Sequence, residues 1–223
     1  MNYEDRAFIF DMDGTLVDNM RFHTEAWRTL IEENGYEFEE RKFLVETAGQ
    51  TNREIIPSVF GAMSNERLSE LALRKEELYR EAYLPHRKPV EGLVGFLDAT
   101  HDLGIKMAVS TAASPANMAF ILDGLELRHY FGAITTAADV KRGKPDPEIF
   151  LISAANVGVE PKNSIVFEDA FFGFEAAKRA GMKAIGITTV NTYDEIMQSD
   201  GVVEAHANFQ GLDPDRIVRE YTS

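Results

Sequence analysis

Phe8-Ile9-Phe10-Asp11-Met12-Asp13-Gly14-Thr15 is an apolar run that stops abruptly at two carboxylates and a glycine. The run reads as a strand over Ala7–Phe10, and Gly14 lets the chain turn directly after the acids. From about residue 90 onward, short runs of β-branched or small apolar residues alternate with amphipathic stretches of helical period. That alternation predicts an α/β fold, a parallel sheet flanked by helices. Further strands are expected at Lys106–Thr111, Ala133–Thr136, Ser164–Glu168 and residues 184–189. Gly104, Gly124, Gly158 and Gly181 each close a helix near the start of the next strand. Asp146 before Pro147 reads as a helix N-cap and first-turn pair. Ligands of such a sheet bind at the strand ends, which is where Asp11 and Asp13 fall.

Residues 17–84 differ, showing helical periodicity and no convincing strand. A first helix carries Met20, His23, Trp27, Leu30 and Ile31 on one stripe. Thr51 with Glu54 resembles a capping box opening a second, and a third covers Asn65–Tyr83. Pro85, Pro89 and their charged neighbours mark residues 84–92 as a linker. The expected organisation is an α/β core of residues 1–16 and 88–223, with residues 17–87 inserted as an all-helical domain.

At 223 residues the chain can bury a core without covalent staples. It has no cysteine, which excludes a disulfide scaffold, a thiol nucleophile and a zinc-thiolate site. With 23 basic and 37 acidic residues, the net charge of −14 repels nucleic acid and anionic lipid. Residues 1–6 are polar, and no run reaches the roughly 18 apolar residues of a membrane span. The expectation is a cytoplasmic monomer without nucleic-acid or membrane partners. A small phosphorylated metabolite stays compatible with this charge if a few cations gather locally.

Two aspartates two residues apart at a strand end can divide labour. One attacks phosphorus, and the other protonates the leaving oxygen and then activates water. A plain turn with an Asx cap is the competing reading. A calcium-binding EF-hand loop is excluded, because Gly14 is fourth rather than sixth and Phe22 stands at the closing glutamate position. A carboxylate attacking a phosphate dianion needs a cation between them. Glu168 and Asp169 follow the apolar run Ile165-Val166-Phe167 and put a second acidic pair on the same rim. Hard oxygen donors from two strand ends suit magnesium better than zinc, although this pair can also serve as N-cap and first-turn acid of the following helix. Lys144, between Gly143 and Pro145, is the candidate phosphate cation unless it is merely solvated. Ser110 and Thr111 close their strand, where a hydroxyl can donate to a phosphate or form an ST-turn.

In order, type and spacing these four fragments resemble the haloacid-dehalogenase-like superfamily over nearly the whole chain. The branch most resembled has a Rossmann-like core and a small helical cap, and holds β-phosphoglucomutases and many sugar-phosphate phosphatases. The resemblance implies that Asp11 is the nucleophile and Asp13 the general acid/base. It implies that Thr111 binds the phosphoryl group, with Ala112 beside it among the substrate contacts, and that Lys144 steadies the negative charge. Mg2+ would be held by the Asp11 carboxylate, the Asp13 backbone carbonyl and Asp169, with Glu168 in support. A dehalogenase of this superfamily attacks carbon without a metal and has no use for Asp13, Glu168 and Asp169. Asp13 also argues against its phosphonate-cleaving branch.

The acceptor of the phosphoryl group separates a phosphatase from a mutase. His23 stands twelve residues after Asp11 and Trp27 four residues later, as in the β-phosphoglucomutase pattern. Lys75 matches that pattern's cap lysine, and Arg53, after the Gly49 loop, could clamp a second phosphate. His23 and Trp27 fit a cap core equally well, and Lys75 with Arg74 fits a solvated helix face. Against the mutase, Thr111-Ala112-Ala113-Ser114-Pro115 departs from the Ser-x-Ser-x-Asn stretch of those enzymes. Gly14-Thr15-Leu16 is a phosphatase-like continuation, and Asn19 replaces a frequent hydroxyl. Hydrolysis of a small phosphate monoester, a sugar phosphate, is therefore favoured over a mutase. A catalytically silent binding protein could dispense with the nucleophile, whereas Asp11, Asp13, Lys144 and Asp169 are all present.

Overall fold

Side chains alternate across a strand, so Phe8 and Phe10 leave one face of β1 (Ala7–Phe10) and Ile9 the other. In the computed structural model, which describes residues 3–47 and 51–222, β1 is buried throughout. Phe10 stacks on Phe167 at 4.8 Å between ring centres and Phe8 on Phe96 at 5.7 Å, and Phe209 closes the same aromatic cluster. Ile9 packs on the opposite side with Ala108, Phe150, Val166 and Phe174. The other strands are β2 (Lys106–Thr111), β3 (Ala133–Thr136), β4 (Ser164–Glu168), β5 (Lys183–Ile187) and β6 (Val202–His206). Their order is β3-β2-β1-β4-β5-β6, and every pair is parallel. A sheet of this kind needs cover on both faces, which explains the continuous apolar runs.

Two strand expectations need correction. β5 ends at Ile187 rather than at 189, with one further ladder bond from Thr188 N–H to the His206 carbonyl at 2.9 Å. β6 gives no strand signal in the sequence, because Glu204 and His206 interrupt its apolar pattern. As an edge strand it is only half-buried and tolerates those charges.

Contacts divide the chain into Met1–Asp18 with Lys88–Ser223, and Asn19–Arg87. Val17 and Asp18 stay with the first unit, where the Gly14 N–H donates to the Val17 carbonyl at 2.8 Å. The second unit contains α1 (Met20–Glu33), α2 (Glu40–Thr47), α3 (Asn52–Phe60) and α4 (Asn65–Tyr83). α2 is an addition to the helices expected from the sequence, since Phe43 is its one buried residue and leaves almost no periodic signal. The buried stripe of α1 is Phe22, Ala26, Trp27, Leu30 and Ile31, while Met20 is exposed. α3 opens as expected, with the Thr51 N–H donating to Glu54 Oε2 at 2.7 Å. Gly49 lies outside the described residues.

In the first unit follow α5 (Leu93–Asp102), α6 (Pro115–Met118), α7 (Glu148–Asn156), α8 (Phe171–Arg179), α9 (Tyr193–Ile196) and α10 (Pro214–Tyr221). α5 brings Phe96 to the aromatic face, and α7 and α8 bring Ile149, Phe150, Phe174 and Ala176 to the other. α7 starts at Glu148, one residue after Pro147, and its first N–H donates to Asp146 Oδ1 at 3.1 Å. No helix among the described residues is long and apolar enough to cross a membrane.

Phe167 touches four other rings and is fully buried. Phe167→Ala is expected to cost about 3–5 kcal/mol in urea unfolding; a loss below ~1 kcal/mol would show that the aromatic cluster is not the core of this face. On β6, hydrogen bonds from Arg216 first, then Tyr221 and His206, pull the Glu204 carboxyl down to about 2 against burial. A depressed carboxyl stabilises the fold above its unfolded pKa of about 4.3, and the contribution disappears as pH falls toward 2. Glu204→Gln should therefore destabilise by about 1–3 kcal/mol at neutral pH and match the parent near pH 2, measured by urea midpoints at both values.

Candidate active site

The Asp11 N–H donates to the Phe167 carbonyl at 2.9 Å, which carries the β1–β4 ladder one residue past the strand. Because Phe10 is paired with Phe167, Asp11 falls opposite Glu168. The alternation that aims Ile9 and Val166 at one face aims these two acids the same way. Lys144 comes to meet them from the loop between β3 and α7. Its Nζ donates to Asp11 Oδ1 at 2.6 Å and to Glu168 Oε1 at 2.5 Å, and lies 4.9 Å from the centre of the Phe150 ring. The loop is pinned by Glu148, whose Oε2 accepts the N–H groups of Lys141 at 2.8 Å and Arg142 at 3.2 Å.

Glu168 Oε2 accepts the N–H groups of Asp169 and Ala170 at 2.7 and 2.9 Å. Both Glu168 oxygens are thus engaged, which suits a group that orients its neighbours. The helix α8 itself has Ala170 at its N-cap, without a capping side chain. Asp169 is 4% exposed and Asp11 8%, and Asp11, Glu168 and Asp169 each place a carboxylate oxygen within 4.8 Å of the others'.

Counted as fully ionised, the Asp11, Glu168 and Asp169 carboxylates and the Lys144 ammonium sum to −2, a charge that burial opposes. Burial pushes the Asp11 carboxyl up to about 8, opposed by Lys144 and reinforced by the charges of Glu168 and Asp13. Burial, and then Glu168 and Asp11, hold Asp169 well above the usual carboxylate range. Burial works against the Lys144 ammonium too, but the Asp11 and Glu168 charges outweigh it and hold the group above its ordinary value. An all-oxygen, net-negative, buried cluster has the donor chemistry of a hard divalent cation such as Mg2+, so the residues fit that ion.

Asp13 is half-buried in the turn, paired with Val17. Thr111, on the neighbouring strand, is 1% exposed, and its Oγ1 accepts the Ala113 N–H at 3.0 Å, an ST-turn. Its hydroxyl proton can still be donated. Ser110 points to the face opposite Thr111, the Ile9 and Ala108 face, and shares a hydrogen bond with Ser153 at 2.6 Å, which donates to Thr135 at 2.7 Å, so its hydroxyl serves the core. Ala112 is exposed at the same strand end.

A second cluster forms within the helical unit. His23 stacks on Tyr79 at 3.8 Å between ring centres, and its Nδ1 is 2.7 Å from Lys75 Nζ. Lys75 is 3% exposed, donates to Glu76 at 3.0 Å and lies 5.6 Å from the Trp27 ring. It is therefore no part of a solvated face, whereas Arg74 is, pairing with Glu33 at 3.0 Å. Trp27 packs against Phe43 in the core of that unit. Arg53 is exposed on α3.

Three residues of the first site gave no sequence signal. Thr189 Oγ1 donates to the Gly14 carbonyl at 2.5 Å, and Asn191 Nδ2 to the Asp169 carbonyl at 2.9 Å. Both stand in an unremarkable loop, Thr188-Thr189-Val190-Asn191-Thr192. Gly173 lacks a side chain where Glu168 needs room: a Cβ there would lie 1.7 Å from Glu168 Oε1.

Residues 8–187 match the family model described as haloacid dehalogenase-like hydrolase. The fructose-1-phosphate phosphatase of Escherichia coli is 36% identical over 183 residues, spanning 81% of this chain and 95% of that protein. The β-phosphoglucomutase of Bacillus subtilis is 32% identical over 190 residues, spanning 82% of this chain and 83% of that enzyme. A crystal structure of a hydrolase from Entamoeba histolytica superposes with a TM-score of 0.87 at 27% identity, covering 96% of this chain and 98% of that one.

Gly173→Ala forces the Glu168 carboxylate away from Lys144 or shifts α8. We expect a loss of about 1–3 kcal/mol in thermal unfolding; an unchanged melting temperature would mean that the cluster is loosely held.

Proposed function

The chain belongs to the haloacid dehalogenase-like hydrolase family, and from that premise we propose that it is a magnesium-dependent phosphatase acting on a small sugar phosphate through a phospho-aspartyl intermediate on Asp11. The observation that carries this reading is the Lys144 ammonium bridging Asp11 and Glu168, with Asp169 alongside. It brings a carboxylate, a fixed cation and further hard oxygen donors to one strand edge, which supports a nucleophile's role for Asp11. The resemblance to sugar-phosphate enzymes supports the substrate class.

An Asp11 carboxylate oxygen attacks phosphorus as the bond to the sugar oxygen breaks, and Asp13 gives that oxygen its proton. Asp13, now a carboxylate, takes a proton from water as the water oxygen attacks phosphorus. The bond to Asp11 then breaks, releasing inorganic phosphate and the free carboxylate. Lys144 screens the charge passing between nucleophile and phosphoryl group, and the Thr111 hydroxyl donates to a phosphoryl oxygen. Asp11, Asp169 and the Asp13 carbonyl would hold Mg2+, oriented by Glu168, and the ion supplies the neutralisation that lets a carboxylate approach a phosphate dianion. Residues 19–87 serve as the cap, whose His23, Trp27, Arg53 and Lys75 recognise the sugar.

The test is release of inorganic phosphate from a panel of hexose and pentose phosphates with and without Mg2+. Turnover should require the metal and fall at least ~1,000-fold in Asp11→Asn, since removal of a covalent nucleophile costs several orders of magnitude. No release from any ester would sink the proposal. β-Glucose 1-phosphate converted to glucose 6-phosphate without free phosphate would make the enzyme a mutase instead.

A further inference from the structure

Thr189, Val190 and Asn191 join the end of β5 to the start of α9, and the two polar side chains of this bridge both turn back toward the site. The bridge is anchored at each end. On one side the Thr188 N–H donates to the His206 carbonyl at 2.9 Å. On the other, the Thr192 N–H donates to Glu195 Oε2 at 2.9 Å in a capping box. Between the anchors, Thr189 holds the Gly14 carbonyl and Asn191 holds the Asp169 carbonyl, at 2.5 and 2.9 Å.

The two segments so clamped lie directly against each other. Gly14 has φ +85°, and a Cβ there would stand 2.2 Å from Asp169 Oδ2. The backbone of the Asp13–Gly14 turn is thus in contact with the Asp169 carboxylate, and nothing bulkier than hydrogen fits between them. One bridge, anchored at both ends, therefore bonds to the backbone on both sides of that contact. A hydrogen bond to a carbonyl restrains rotation of its peptide, so the two bonds hold the Gly14–Thr15 and Asp169–Ala170 peptides, each adjoining a residue that carries an oxygen donor.

We propose that Thr189 and Asn191 are positioning residues, a strap that sets the spacing between the Asp13–Gly14 turn and the Asp169 carboxylate and thereby tunes affinity for a divalent cation. The inference rests on the metal-dependent reading of the site given above. Thr189 and Asn191 act through the carbonyls of the ligand-bearing segments.

The experiment is calorimetric titration of the purified full chain with Mg2+ alone, without substrate. Thr189→Val and Asn191→Leu should each bind Mg2+ about 10- to 100-fold more weakly, the range typical of groups that orient metal ligands. Thr189→Ser, which keeps the hydroxyl, should restore binding to near the parent's. In turnover assays the strap variants should need more Mg2+ for half-maximal rate and regain most of kcat at saturation. Thr189→Ala replaces the valine variant if the latter does not fold. Parent-like Mg2+ affinity in Thr189→Val and Asn191→Leu would overturn the strap while leaving the site reading intact, as would a lowered urea midpoint with unchanged affinity. If the parent itself takes up no Mg2+ and Asp169→Ala changes nothing, the metal reading falls and the strap with it.

Discussion

Like charges held together out of water are the constraint around which the core unit is arranged. Asp11, Glu168 and Asp169 are buried at adjoining strand ends, and Lys144 is the cation bonded between two of them. Isolated buried carboxylates are costly, so such a group persists only where every donor is placed by something stiffer than a side chain. Here the sheet does that placing. The ladder bond from Asp11 to Phe167 and the register of β1 against β4 put two of the acids face to face before any side-chain contact is made.

The surroundings follow from the same requirement. The loop carrying Lys144 is tied by Glu148, the Asp169 and Ala170 amides are tied to Glu168, and the turn after Asp13 is tied by Thr189. Two glycines mark where the packing leaves no room: Gly14 against Asp169 and Gly173 against Glu168. Beneath the cluster, the Phe8, Phe10, Phe96, Phe167 and Phe209 rings and the opposite face around Ile9 and Phe150 hold the strands at fixed separation. Rigidity of the strand ends is what allows a few polar atoms to act as a preorganised site.

The helical unit solves a related problem differently. Lys75 is buried with its ammonium against His23 Nδ1, Glu76 and the face of Trp27, so its charge is satisfied by one acid, one ring nitrogen and aromatic faces. Asn52 donates to the same Glu76 oxygen at 2.6 Å and links α3 to α4. Stacking on Tyr79 gives the His23 ring a defined direction, and Trp27 is held against Phe43.

Much of this molecule is legible in its residues alone. The apolar runs ending in Asp11 and in Glu168, spaced by helical stretches, carry the parallel sheet and name the acids, because burial on both faces and alternation along a strand are local properties. Periodicity also finds α1, α4 and the capped start of α3. It does not find β6, whose edge position permits Glu204 and His206, or α2, which buries only Phe43. Nor does it separate Lys75 from Arg74, neighbours on one helix of which one is buried and the other exposed. Nor does it show that the Ser110 hydroxyl is taken up by Ser153 of α7 while that of Thr111 accepts a bond from the next turn. The Thr189 and Asn191 bonds join residues 175 and 22 positions apart, and no local pattern encodes them. The sequence by itself determines which groups can carry charge and where a strand must stop; only the tertiary structure decides which of them share one buried volume, because pairing, burial and clash are set by segments far apart in the chain.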